Sequence, residues 1–244
     1  MNAINHELLN AFDHIITAVG DQDEIRCVAI QGAGDHFMAG GDIKKFKAML
    51  DTEPDVTTRR HEFERTLHKV HQIIFKMRKL RQPIIAIVKG AVAGAGVSFM
   101  SACDLVVASE KSFFTLAYCH LGVSPDGGST YHLPRMVGMK RAFEIALLGD
   151  RFDAAKAEKW GLINWVFSAE ELDTEAAKIV LRLATGPTKA HGHAKALLNE
   201  SFNNTITTQL NNEITSFVDC TVTSDFTEGV KAFMEKRKAK FEGC

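Results

Sequence analysis

The feature that most constrains the fold is a set of three short apolar runs, two of which end in glycine. They are IRCVAIQG at 25–32, PIIAIVKG at 83–90 and LVVAS at 105–109. Apolar runs of this length, without polar alternation, are typical of strands that are buried on both faces. A long segment with helical apolar spacing, 60–80, separates the first two runs. The alternation predicts an α/β protein with a parallel sheet.

Helical periodicity governs both ends of the chain. Apolar residues recur at helical spacing up to Gly20, which predicts an opening amphipathic helix. Toward the carboxyl end the pattern is mostly helical apart from INWVF at 163–167, and Pro187 marks a break. We therefore predict a mixed core at 1–187 and a helical region at 188–244.

Composition excludes several classes of function. The chain has 29 basic and 30 acidic residues, a net charge of −1, which gives no general attraction for nucleic acid. Its five cysteines are widely spaced and form no C-x-x-C pair, as is typical of free thiols in a reducing compartment. The opening MNAINHELLNAF lacks the features of a secretion signal, and no apolar run reaches membrane-spanning length. We expect a cytoplasmic protein without a nucleic-acid or membrane partner.

Two glycine-rich loops each follow a predicted strand and precede a helix. They are GDHFMAGGDIKKF at 34–46 and GAVAGAG at 90–96. The second reads G-x-x-x-G-x-G, which is neither the dinucleotide fingerprint nor a P-loop. Small residues there serve either close packing or the exposure of backbone N–H groups at a helix start. Two such N–H groups converging on one oxygen would form an oxyanion hole.

A third segment, LGVSPDGGSTYHLPRMVG at 121–138, carries an acidic residue at the apex of a turn. That residue, Asp126, has two interpretations. An aspartate before glycine commonly caps the helix that follows. It can also serve as a general base. The residues alone leave both open.

Taken together, these segments resemble the crotonase superfamily, the enoyl-CoA hydratases and isomerases. The resemblance covers nearly the whole chain. Its motifs occur in family order and include AGGDI, KGAVAGAG, ACDLVVAS, LGVSPDGGSTYHLPR, AAKAEKWGLINWV and DFTEGVKAFMEKRKAKF. The resemblance implies a crotonase-like spiral of ββα units, with a carboxyl-terminal helical region that assembles trimers, often paired into hexamers. It also implies that strands precede the segment with which this sequence begins, so we expect an open sheet edge.

The resemblance also implies a set of site residues. The oxyanion donors would be the backbone N–H groups of Gly41 and Ala95. The residues that would contact coenzyme A are Ala39, Asp42, Ile43, Lys44 and Lys236. The residues that would form the acyl pocket are Ser98, Leu116, Tyr118, Leu121 and Val123. No permanently bound cofactor is expected, because coenzyme A enters as part of an acyl-CoA thioester substrate.

Two departures from the family pattern bear on the chemistry. Hydratases of this family carry two glutamates, at positions that are Ser98 and Tyr118 here. Adding water to a double bond needs groups that activate the water and manage its second proton, and serine and tyrosine are poor substitutes. Asp126 stands where dienoyl-CoA isomerases and ring-epoxide isomerases of the 1,2-epoxyphenylacetyl-CoA type keep an aspartate. We predict an isomerase, with a hydratase of fatty acid β-oxidation or a noncatalytic acyl-CoA binder as alternatives.

The remaining polar residues point to no metal site. His68 and His71 lie three residues apart on a helix without an acidic or cysteine partner, as is usual for surface residues. His120 and His132 flank the predicted pocket and are candidates for substrate contact. The cations near the carboxyl end either bind the phosphates of coenzyme A or form a solvated helix face. They are Lys236, Arg237, Lys238 and Lys240.

Overall fold

The computed structural model describes all residues from 1 to 244, which form ten helices and seven short strands. The helices are α1 His6–Gly20, α2 Ile43–Thr52, α3 Val56–Lys79, α4 Ala95–Ala102, α5 Ser129–Leu148, α6 Ala154–Lys159, α7 Leu172–Ala184, α8 Thr188–Glu200, α9 Ile206–Thr221 and α10 Ser224–Met234. The strands are β1 Val28–Gln31, β2 Ile84–Val88, β3 Ala91–Ala93, β4 Leu105–Ser109, β5 Phe113–Thr115, β6 Phe152–Asp153 and β7 Trp165–Phe167. A short 3₁₀ helix spans Tyr118–Leu121.

The strands form two sheets. One is entirely parallel, with the order β1-β2-β4-β7, and the other has the order β3-β5-β6. In the second sheet β5 pairs parallel with β3 and antiparallel with β6. The predicted parallel sheet is therefore confirmed. The strands β3, β5 and β6 were missed, because two or three residues are too few to show a periodicity.

The burial of strand β2 explains why its sequence has no polar residues at alternate positions. All five of its residues are buried. Ile84, Ala86 and Val88 belong to the main core, whereas Ile85 and Ile87 pack with residues of α7 on the opposite face of the sheet. Burying both faces of a strand requires apolar side chains at every position. Each fully buried isoleucine adds about 1.5 to 3 kcal/mol of hydrophobic stabilisation.

Strand β1 is an edge strand that pairs only with β2. Its residues alternate between half-buried and exposed, and the strand is shorter than the apolar run that predicted it, because Ile25 and Cys27 lie outside it. The expected open edge is therefore present.

The carboxyl-terminal helices begin where Pro187 predicted a break, since α8 starts at Thr188. Lys195 on α8 is buried and forms an ion pair with Asp104 at 2.8 Å. It also donates a hydrogen bond to the Gln82 carbonyl oxygen, 3.2 Å away. Burial lowers the pKa of Lys195, and the Asp104 charge opposes this shift. These contacts fasten the helical region onto the sheet. None of the ten helices has the length and apolar character needed to cross a membrane.

Candidate active site

The two glycine-rich loops lie side by side. Met38 and Val92 form an isolated parallel bridge, in which the Met38 N–H donates to the Ala91 carbonyl oxygen and the Ala93 N–H donates to that of Met38, at 3.2 and 2.9 Å. A Cβ atom on Gly96 would lie 2.3 Å from the Met38 carbonyl oxygen, which no real contact allows. Close packing is therefore one reason for the small residues in these loops.

The same pairing brings the segment around Gly41 close to Ala95. Met38 pairs with Val92, and Gly41 and Ala95 each lie three residues further along. A Cβ atom on the intervening Gly40 would approach the Ala95 nitrogen to 3.4 Å, which shows how near the loops remain.

The pairing of the first four residues decides which way the Gly41 N–H points. Ile4 forms a parallel bridge with Gly41, in which the Ile4 N–H donates to the Gly40 carbonyl oxygen and the Asp42 N–H donates to that of Ile4. Successive N–H groups of an extended chain point to opposite sides. Since Asp42 points its N–H toward Ile4, Gly41 points its own away from Ile4. No pattern in the sequence predicted this pairing.

Neither the Gly41 N–H nor the Ala95 N–H donates a hydrogen bond within the chain. Ala95 is the first residue of α4, and its cap residue Gly94 has no side chain to bond a helix N–H group. The first N–H groups of a helix lack internal acceptors. The site therefore offers two main-chain donors on adjacent loops, free to receive a negatively charged oxygen.

The main chain of Asp126 is tied to the helix that Ala95 begins. The buried Ser98, one turn after Ala95 on α4, donates from Oγ to the Asp126 carbonyl oxygen at 2.8 Å. Ser129 donates to the same oxygen from N and from Oγ, at 3.2 and 2.9 Å. These bonds hold the acidic turn against α4.

The side chain of Asp126 points to a second partner. It is half-buried, and its Oδ1 accepts a hydrogen bond from the Tyr118 hydroxyl. Helix α5 begins at Ser129 behind Gly128 and receives no side-chain cap. The capping interpretation of Asp126 is therefore wrong. Burial, followed by the charge of Asp126 and the hydrogen bond to it, raises the pKa of Tyr118, so its phenol stays protonated.

Gly127 packs tightly against Ser98. Its φ of +59° lies in the left-handed region, and a Cβ atom on it would lie 2.7 Å from the Ser98 Cβ. The Gly127 N–H donates to Nε2 of His71 at 3.4 Å. His71 is half-buried against this turn, so its prediction as a surface residue was wrong. The buried neighbours Val70 and Ile74 on α3 were the sequence signal for its position.

The other candidate histidines differ in burial. His132 on α5 is buried, and burial together with the positive charges of Arg78 and Arg135 lowers its pKa to about 4. His120 is exposed, and its Nε2 lies 3.2 Å from the Gly149 carbonyl oxygen. No group of three or more His, Cys, Asp or Glu side chains is arranged to hold a metal ion.

The residues predicted to contact coenzyme A lie mainly at the start of α2. Asp42 caps this helix, accepting at Oδ1 from the N–H groups of Lys44 and Lys45 at 3.1 and 3.3 Å. Ile43 and Lys44 are exposed, and Ala39 is half-buried.

The carboxyl-terminal cations lie beyond α10, where Lys236 is exposed. Arg237 pairs with Glu228 and Glu235 at 2.6 Å, so it is not free to bind a phosphate. For Arg237 the solvated-face interpretation is therefore the better one. The coenzyme A contacts of Lys236 and of the α2 residues remain predictions.

The predicted acyl-pocket residues occupy three different environments. Ser98 and Tyr118 contact Asp126, and Leu116 is completely buried in the main core. Leu121 and Val123 are each 53% exposed. They are thus not arranged as one continuous wall in this structure, and their pocket role remains a prediction.

Comparison with known proteins identifies the class. The sequence profile described as Enoyl-CoA hydratase/isomerase matches residues 1–244. The chain belongs to this family, the crotonase superfamily. It is 34% identical over its full length, and over 91% of the relative, to 1,2-epoxyphenylacetyl-CoA isomerase of Escherichia coli strain K12. It is also 34% identical, over 99% of its length and 90% of the relative, to crotonyl-CoA hydratase of Syntrophomonas wolfei.

Solved structures support the same fold. An enoyl-CoA hydratase from Polaromonas sp. JS666 is 34% identical and superposes with a TM-score of 0.89, over 98% of this chain and 91% of that one. An enoyl-CoA hydratase from Bacillus anthracis is 28% identical and gives a TM-score of 0.90, over 99% and 91%. The predicted crotonase-like spiral is confirmed. Both hydratases and isomerases occur among these relatives, so family membership alone does not select the reaction.

The lowered pKa of His132 predicts how the free energy of unfolding changes in acid. In the unfolded chain a histidine has a pKa near 6.5, so as the pH falls from about 6.5 to about 4 the unfolded state binds a proton that the folded state does not. We expect this residue to lower the free energy of unfolding by up to about 3 kcal/mol over that interval. Urea denaturation at several pH values measures it.

His132→Gln should lose less stability over that interval than the unmodified protein, whatever its stability at pH 7. His68→Gln is the matched control, because the His68 side chain is 72% exposed, and its pH dependence should follow that of the unmodified protein. Parallel curves for His132→Gln and the unmodified protein would contradict the assignment.

Proposed function

We propose that this chain is an acyl-CoA isomerase that shifts a double bond, converting a 3-enoyl-CoA to a 2-enoyl-CoA or rearranging a ring-epoxide or oxepin-type CoA thioester. One observation carries the proposal. The two positions at which hydratases carry glutamates hold Ser98 and Tyr118, and both side chains are bonded to Asp126. Asp126 is also the only acidic residue that perturbs the pKa of Tyr118. One carboxylate suits an isomerase, since the proton that it removes can be returned to another carbon.

The two free main-chain donors would bind the thioester carbonyl. When a proton leaves the carbon beside it, that oxygen gains negative charge. Hydrogen bonds from the Gly41 and Ala95 N–H groups strengthen as this charge develops. They therefore stabilise the enolate more than the bound substrate, and this difference lowers the barrier.

Asp126 would move the proton. Its carboxylate takes a proton from the α carbon of a 3-enoyl thioester, and the electron pair of that C–H bond enters the enolate. The conjugated dienolate then accepts the proton from Asp126 at the γ carbon. The double bond now lies between the α and β carbons. The carboxylate is regenerated and no water is consumed.

Two alternatives remain. A relative that is named a hydratase is as similar to this chain as the isomerase, which favours testing water addition directly. The replacement of both glutamates supports a hydration rate well below the isomerisation rate. A noncatalytic acyl-CoA binder would catalyse neither reaction while still binding the thioester.

Asp126→Asn tests the base. We expect kcat for 3-hexenoyl-CoA, followed through the absorbance of the conjugated product, to fall by about 100- to 10 000-fold, the usual contribution of a general base. Affinity for the thioester, measured by calorimetry, should change little. Asp153→Asn is the control, since Asp153 caps α6 by accepting from the Lys156 N–H and asparagine is an equally good cap. Undiminished turnover by Asp126→Asn would remove Asp126 from the mechanism.

Ala95→Pro tests the oxyanion donor. Proline is tolerated at the first position of a helix, which Ala95 occupies, and its ring replaces the N–H donor with a CH2 group. We expect kcat to fall by about 100- to 1000-fold, equivalent to about 3 to 4 kcal/mol. Circular dichroism and the melting temperature show whether the fold survives. A folded variant with normal kcat would contradict the role of this donor.

We further propose that the protein is a cytoplasmic homotrimer, or a dimer of trimers, assembled through the helical region at 188–244. Large apolar side chains of this region are exposed in the isolated chain, which is unusual for a surface that faces only water. They include Leu198, Phe202, Ile206, Leu210, Ile214, Phe217, Val230 and Phe233. All five cysteines are free thiols, as a reducing compartment favours.

Phe217→Glu tests the assembly, because Phe217 on α9 is 68% exposed and a charge there would be buried without a partner at an interface. We expect light scattering to give a trimer or hexamer for the unmodified protein and a smaller species for the variant. Phe75→Glu makes the same change at a 66% exposed residue of α3 and should leave the mass unchanged. A monomeric unmodified protein would contradict the proposal.

A further inference from the structure

The hydrogen bond between Tyr118 and Asp126 suggests a role for a residue that the isomerase mechanism above does not use. We propose that Tyr118 is a positioning residue, which occupies Oδ1 of Asp126 and leaves Oδ2 as the single oxygen that removes and returns the substrate proton. This inference rests on the proposed isomerase function and extends it. It explains why a tyrosine stands where a hydratase carries a glutamate.

Hydrogen bonds hold both the main chain and the side chain of Asp126. Ser98 and Ser129 hold its main-chain carbonyl, and the Tyr118 hydroxyl holds Oδ1. Oδ2 has no hydrogen-bond partner in the chain. The serine bonds fix the main chain from which this side chain extends, and the phenol bond restricts rotation of the carboxylate, so the same oxygen stays directed at the substrate throughout the reaction.

The backbone around Tyr118 is also constrained. The 3₁₀ helix that begins at Tyr118 is flanked by two left-handed residues, Ala117 with φ +53° and Gly122 with φ +68°. A left-handed alanine is uncommon, and such a conformation persists only where surrounding contacts impose it. One of those contacts joins this segment to the second glycine loop, since the Gly94 N–H donates to the Thr115 carbonyl oxygen at 2.9 Å. The backbone that leads into Tyr118 is thus tied to the same loop that presents Ala95.

The phenol acts as a donor and not as a second base. Burial and the nearby carboxylate raise the pKa of Tyr118 well above its usual value, so it keeps its proton at neutral pH. The α proton therefore passes to Oδ2 of Asp126, and from Oδ2 to the γ carbon.

Tyr118→Phe removes the hydroxyl and keeps the ring. We expect kcat to fall by about 10- to 100-fold, the loss that accompanies one hydrogen bond to a charged group. In D2O, the freed carboxylate should exchange its proton, so the product should carry several-fold more deuterium.

Tyr131→Phe is the matched control, because Tyr118 and Tyr131 are the only two tyrosines and Tyr131 is partly exposed on α5. It should not change the deuterium content. If Tyr118→Phe loses activity with an unchanged deuterium content, the residue is merely structural and the inference is overturned, while the isomerase function stands. Full turnover by Asp126→Asn would instead overturn the isomerase mechanism itself.

An activity-independent measurement covers the case in which Tyr118→Phe does not fold. In Tyr131→Phe, Tyr118 is the only phenol, so its ionisation is followed directly by ultraviolet absorbance. We expect no phenolate near pH 10, where a free tyrosine ionises. Adding Asp126→Asn should move the ionisation to lower pH by removing the facing charge. Ionisation near pH 10 in both proteins would show that the hydrogen bond is absent and overturn the proposal.

Discussion

The site depends on the close parallel approach of two glycine-rich loops. The Met38–Val92 bridge sets their register, and glycine is required where one backbone passes the other, as at Gly96 against the Met38 carbonyl oxygen. Because of that register, the segment around Gly41 lies close to Ala95. The bridge between Ile4 and Gly41 then turns the Gly41 N–H away from the opening segment. The proposed oxyanion site is thus a consequence of main-chain pairing, and any side chain that separated the loops would remove it.

The turn that carries Asp126 is attached to these two glycine-rich loops through α4. The helix that presents the Ala95 N–H at its first residue also carries Ser98, whose hydroxyl binds the main chain of Asp126. Gly127 packs against the same serine so closely that a Cβ atom on Gly127 would lie 2.7 Å from the Ser98 Cβ. The small residues at positions 98 and 127 therefore let the turn that carries Asp126 lie directly against α4.

The relatives of this chain illustrate the same separation of fold and reaction. Hydratases and an isomerase match it at equal identity over nearly equal lengths, and the hydratase structures superpose on it closely. Family membership therefore leaves the choice between hydration and isomerisation open. The proposed isomerase reaction depends instead on the arrangement of Ser98, Tyr118 and Asp126.

Local patterns in the sequence predict the parallel sheet and the helices around it. An apolar run such as LVVAS at 105–109 favours a strand that is buried in a sheet, and that strand has the predicted bounds, whereas the run at 25–32 forms an edge strand with alternating exposed residues. Pro187 likewise marked the start of α8, because proline disrupts a helix interior by its local geometry. The sequence motifs also indicated the family, and the resemblance supplied the proposed site positions Gly41, Ala95 and Asp126.

How those positions meet depends on the folded chain. The bond from Tyr118 to Asp126 and the pairing of Ile4 with Gly41 join residues whose neighbours in sequence do not predict these contacts. Local periodicity reports which face of an element is apolar, and it contains no information on which distant polar group completes a hydrogen bond. The capping interpretation of Asp126 failed for this reason, since its carboxylate is claimed by a phenol on another element. Polar partners are selected by three-dimensional proximity, which appears only once the chain has folded.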